Sequence, residues 1–129
     1  MKIGSHGSTF RGNILSAAVA NVVIDKINKP EALKYISRIE SYLKNKLIES
    51  TKDLIWVKEV QELGLMVGIE MQKDFNIEEL KIKLIEKGLI VMITSNIIRI
   101  LPSICITERD VNEACEILSD SIRKIEKLP

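Results

Sequence analysis

The run Ile55-Trp56-Val57-Lys58-Glu59-Val60-Gln61-Glu62-Leu63-Gly64-Leu65-Met66-Val67-Gly68-Ile69-Glu70-Met71 decides the fold, because within it the apolar pattern takes a period of two. Residues 55–60 and 65–71 read as two strands joined by a short link ending in Gly64, an antiparallel hairpin. In the second strand Leu65, Val67, Ile69 and Met71 share one face, which needs a helix or a second sheet against it. Gly68 lies on the other face, where its missing side chain predicts close approach by another backbone.

Helical periods flank this run. Upstream, Leu15, Ala18, Val19, Val22, Val23 and Ile27 fall at helical spacing, and Ala17 and Ala20 make the remaining surface small and apolar. Such a helix needs cover on more than one side. Asn28-Lys29-Pro30 breaks it, and a second helix from Glu31 to Ser50 carries Ile36, Ile39, Leu43 and Leu47 in one stripe opposite a solvated face. Downstream, Asn76 caps a third helix with Glu79 at its third position, Ile77, Leu80, Leu84 and Ile85 form its stripe, and Gly88 ends it. A strand Leu89–Ile93 then enters the turn Thr94-Ser95-Asn96, and a strand Ile97–Leu101 stops at Pro102, which has no N–H for a ladder. Thr107 opens the last helix with Asp110 three residues on, and Val111, Ala114, Cys115, Leu118, Ile122 and Ile125 form its stripe. The order helix, helix, strand, strand, helix, strand, strand, helix predicts a small antiparallel or mixed sheet with helices packed mainly on one face, in the α+β class.

A length of 129 residues fits a single domain over 1–129. Lys plus Arg (19) nearly balance Asp plus Glu (18), so no field exists to draw in nucleic acid or an anionic membrane. Cys105 and Cys115 are too few for a disulfide framework, and with His6 as the sole histidine no metal-ligand spacing occurs. The expectation is a cytoplasmic protein with reduced thiols, since no leader opens the chain and the longest apolar run, Leu89–Ile93, is too short to cross a bilayer.

Two features stand out as sites. The stretch His6-Gly7-Ser8-Thr9-Phe10-Arg11-Gly12-Asn13 joins a Gly-rich loop to the head of the first helix. There, unpaired backbone N–H groups and the hydroxyls of Ser8 and Thr9 suit a phosphate or carboxylate, or serve only as a cap. The second is Arg99, which shares a strand face with Ile97 and Leu101 in an otherwise apolar run. Its guanidinium either takes a carboxylate through two parallel hydrogen bonds, or lies on an edge strand and reaches solvent or a surface Glu. Lys58 reads as solvent-facing, His6 as a loop hydrogen-bonder without a nucleophile beside it, and Cys115 as a packed thiol. No catalytic residue is assigned.

Taken together, four blocks resemble the C-terminal part of a class-III, pyridoxal-phosphate-dependent aminotransferase, most nearly the acetylornithine and ornithine enzymes. They are Gly4-Ser5-His6-Gly7-Ser8-Thr9-Phe10 with Gly12-Asn13, Gly64–Glu70, Lys87-Gly88-Leu89-Ile90-Val91, and Ile98-Arg99-Ile100-Leu101-Pro102-Ser103 with Ile106-Thr107-Glu108, in the family's order and spacing. The resemblance implies that Thr9, with Ser8 beside it, binds the cofactor phosphate of a neighbouring subunit in a homo-oligomer. It further implies that Arg99 holds the α-carboxylate of an amino-acid substrate. Residues 1–28 would then be a cofactor-phosphate loop and interface helix, and 29–129 a sheet-and-helix small domain. The family's large domain, with its Schiff-base lysine, lies upstream of the matching blocks, so the implied partners are that large domain or a second subunit. Arg11 and Ile14 depart from the family's glycine and proline, and Gln61-Glu62 stand where an Arg-Gly pair is usual. A free-standing α+β interaction or ligand-binding domain is the alternative.

Overall fold

A computed structural model describes Gly7, Thr9 and residues 12–126, the side chain of Glu126 excepted. The elements are α1 (Ile14–Ile27), α2 (Pro30–Thr51), β1 (Val57–Leu63), β2 (Met66–Met71), α3 (Ile77–Glu86), β3 (Met92–Thr94), β4 (Ile97–Ile100) and α4 (Glu108–Glu126). The chain divides into two compact units, residues 1–35 and 36–129.

In the first unit, Asn13 caps α1 by accepting the Ser16 N–H on Oδ1 at 2.9 Å, and its own carbonyl accepts from the Ala17 N–H at 3.0 Å. No side chain of α1 is buried, and Ile14 and Leu15 are 86% and 75% exposed. The cover that its all-round apolar pattern calls for is not supplied within this unit.

The second unit is built on a four-stranded antiparallel sheet in the order β1-β2-β4-β3. Because β2 and β3 each run antiparallel to the strand between them, they are parallel to one another and need a crossover, which α3 supplies. Val67, Ile69, Met71 and Ile98 point to one face and are buried with Ile39, Leu43 and Leu47 of α2, Leu80 and Leu84 of α3, and Val111, Leu118 and Ile122 of α4. Arg38 pairs with Glu108, and the Tyr42 hydroxyl donates to Asn112 Oδ1; both contacts span 70 residues, so α2 and α4 run side by side in the same direction. Thr107 and Asp110 satisfy each other's backbone N–H groups, at 2.9 Å and 3.2 Å, and so cap α4. The α+β expectation, an antiparallel sheet with helices on one face, is met.

Several local expectations are corrected. The first strand begins at Val57 rather than Ile55, which is 75% exposed in a turn, and it runs on to Leu63. Gly64 and Leu65 form the hairpin loop with Gly64 at φ 62°, so β2 starts at Met66. The strand expected over Leu89–Ile93 is confined to Met92–Thr94, because only these residues find partners on β4, and Ser95 turns the chain at φ 55°. Ile85 is 54% exposed and not in the core, which α3 reaches through Leu80 and Leu84. Beside Gly68 the near neighbour is a side chain, Ile97 Cγ2, 3.5 Å from where a Cβ would stand.

Candidate functional site

Arg99 stands on the face of the sheet opposite the one that packs on α2, α3 and α4. Opposite residues in a ladder share a face, and register places Gln61, Gly68, Arg99 and Met92 in one row across all four strands. Arg99 therefore stands on an interior strand, correcting the edge-strand reading, and the alternation of β4 turns it away from the core that Ile98 enters. Leu101 lies just past the strand, whose last residue is Ile100.

Arg99 is half-buried, with Nη1 3.7 Å from Met92 Sδ on one flank. On the other flank Gly68 offers no side chain. Two shallow grooves meet at the guanidinium, one of about 290 Å³ bounded by Gln61, Leu63, Met66 and Ile97, the other of about 520 Å³ bounded by Lys81, Ile90 and Leu101. Among the described residues no carboxylate pairs with Arg99, although Glu59 and Glu70 share its face. Glu59 accepts from Gln61 Nε2 at 2.8 Å. Glu70 is held by Lys58 Nζ at 2.8 Å, with Asn96 Nδ2 at 3.4 Å. The Lys58 hydrogen bond draws the Glu70 carboxyl below its ordinary range, and the same bond raises Lys58. A fork-shaped cation paired with no carboxylate among the described residues, set between two grooves of mixed apolar and polar lining, is suited to a carboxylate or phosphate ligand.

The other predicted position is only partly described. Thr9 is exposed in a turn, and Gly12 is exposed at φ 83°, a conformation glycine adopts freely. Ser8, His6 and Arg11 lie outside the described residues. The first turn of α1 holds no acidic side chain, so the positive end of the helix is not offset by its own residues. Thr9 and Arg99 fall in different units, and each is characterised on its own.

Sequence reasoning missed three contributors. Asn13 was readable as a cap from its place before the apolar helix. Met92 and the Lys58–Glu70 pair had no local signal, because both contacts depend on strand register. Lys58 is the extra residue of a bulge between Val57 and Glu59. Cys115 is the packed thiol expected, with burial pushing its pKa up, while Cys105 is exposed. No group of described residues could hold a metal ion, and no helix among them is long and apolar enough to cross a membrane.

Comparison with known proteins places this geometry in context. Residues 1–122 match the family model for aminotransferase class-III. An acetylornithine aminotransferase of Caldanaerobacter subterraneus is 34% identical over 96% of this chain, and a mitochondrial one of Alnus glutinosa is 35% identical over 96%. The structure of ornithine delta-aminotransferase from Plasmodium falciparum superposes with a TM-score of 0.82 at 30% identity, covering 100% of this chain and 34% of that one. The chain spans 32% and 28% of the length of the two curated relatives. It belongs to the class-III aminotransferase family.

Proposed function

We propose that this chain is the C-terminal part of an acetylornithine-type aminotransferase, moving an amino group between an ω-amino donor such as N-acetylornithine and 2-oxoglutarate. The observation that carries the reading is Arg99, a guanidinium on an interior strand that pairs with no carboxylate among the described residues. In its assigned role Arg99 binds the α-carboxylate common to both substrates, and its planar fork sets their orientation.

Pyridoxal phosphate supplies the electron sink that this chemistry requires. The residues fit a share in holding it. Thr9 is exposed beside a left-handed Gly12, at the head of a helix without acidic residues in its first turn. Thr9, with Ser8, would donate to the cofactor phosphate of a second subunit in a homo-oligomer. Residues 1–28 then form the phosphate loop and interface helix, and 29–129 the substrate-facing small domain. The lysine and aspartate that hold the cofactor in this family lie upstream of the matched blocks, so residues 1–129 alone are inactive in this reading.

The test is a transamination assay of the full natural polypeptide with N-acetylornithine and 2-oxoglutarate. Arg99→Lys is expected to raise KM for both substrates by about tenfold, the loss of one bidentate, charge-assisted contact. Equal KM values in wild type and variant would overturn the role of Arg99. Binding without turnover in the full polypeptide would favour a non-enzymatic domain. Turnover by the purified 129-residue chain would overturn its assigned dependence on a large domain.

A further inference from the structure

Among the described residues no carboxylate pairs with Arg99, even though a glutamate is within its compass. Glu70 stands opposite Ile97 in the β2–β4 ladder, and Gly68 stands opposite Arg99. Glu70 is therefore the diagonal neighbour of Arg99 on the same face. Diagonal neighbours lie roughly 7–8 Å apart at the backbone, a span that long charged side chains bridge. Gly68 contributes no side chain there, so only Ile97, whose Cγ2 lies 3.5 Å from where a Gly68 Cβ would stand, occupies the surface between the two groups.

The Glu70 carboxylate is drawn the other way. Lys58 is the extra residue of the β1 bulge, and its Nζ reaches Glu70 Oε1 at 2.8 Å. Asn96 adds a longer contact to the same oxygen, while its stronger bond, 2.9 Å, goes to the Met71 carbonyl. An unbulged strand would not supply this additional residue. The Lys58 side chain is 55% exposed, and an ion pair as open to solvent as that adds little to stability.

We propose that Lys58 is a positioning residue for carboxylate binding: by holding Glu70, it keeps that carboxylate from neutralising Arg99 and leaves the guanidinium open to the substrate. The proposal rests on the reading of Arg99 as the substrate-carboxylate binder. Two carboxylates compete for one fork, and Lys58 removes the internal competitor.

The test measures glutarate binding to the full natural polypeptide by calorimetry. Lys58→Met is expected to weaken glutarate about fivefold, the size of one exposed ion-pair competition. Lys58→Arg and the double variant Lys58→Met with Glu70→Gln should each bind within twofold of wild type. A Lys58→Met variant that binds like wild type, or a double variant that stays weak, would overturn the proposal. Arg99→Lys tests the underlying reading separately: if it leaves glutarate binding unchanged, that reading fails. A crystal structure of Lys58→Met then still decides the inference, since Glu70 must move to within 4 Å of the Arg99 guanidinium, about salt-bridge distance. Glu70 remaining clear of Arg99 would sink it.

Discussion

Ile98 and Arg99 are consecutive residues of β4, and they face opposite fates. Ile98 is fully buried against the helices, whereas Arg99 lies on the open face between Met92 and Gly68. The same ladder therefore builds a core with one set of side chains and, in the proposed reading, a ligand surface with the other. What separates them is a period of two and the choice of which face the helices cover. If stability belongs to one face and recognition to the other, each can be altered alone.

Ile98→Ala should break the buried face, costing about 2–5 kcal/mol in urea unfolding, the range for a large-to-small change in a core. Arg99→Leu should leave unfolding within about 0.5 kcal/mol of wild type, as expected of a surface change. If Arg99→Leu proved as costly as Ile98→Ala, the division of labour between the faces would fall. Gly68→Ala should sharpen the contrast, because the added Cβ meets Ile97 at an ordinary 3.5 Å and the unfolded chain loses freedom. A gain of about 0.5 kcal/mol is expected. Gly68→Leu should fill the groove beside Arg99 and weaken glutarate binding with little effect on unfolding.

The thiols extend the same contrast without mutation. Cys105 should react with a disulfide reagent at pH 8, while Cys115, buried and shifted upward, should stay protected until the chain unfolds. Equal reactivity in the native protein would show that α4 is not packed as described. The smallest effect is that of acid. Glu70 and Asp110 have lowered pKa values in the folded state, so whatever they add is fully present above the ordinary carboxylate range and is lost as pH falls through those lowered values. Lys58 is raised, so its share is present at neutral pH and fades only as pH rises beyond the ordinary 10.5. Tm should be flat from about pH 6 to 9 and should slip below about pH 4. A slope within that plateau would point to a titrating group that these contacts do not include.

Helix and strand placement was legible wherever one face was apolar over a long stretch. The stripes of α2 and α4 are such cases, as is Val67, Ile69 and Met71 in β2. It failed where an apolar run was short and uniform. Leu89–Ile93 has no alternation, so its pairing awaited β4, and only its end is strand. Ile85 and Ile82 fit the apolar composition of α3 but miss the stripe that reaches the core, and both are exposed. Arg99 was visible as a misfit among apolar neighbours. Its interior position was not, because strand order is a property of the sheet and is carried by no segment within it.

By itself, the sequence determined the element order, the amphipathic stripes, the caps at Asn76 and Thr107, and the anomaly of Arg99, all of which depend on residues within a few positions of one another. Tertiary structure alone decided which acids Arg99 avoids. Register aligns Gly68 with it, places Glu70 on its diagonal, and sets Met92 at its flank, while the bulge at Lys58 supplies the cation that holds Glu70. Contacts between strands far apart in the chain are fixed by hydrogen-bonded register, which local sequence periods leave open by any even number of residues.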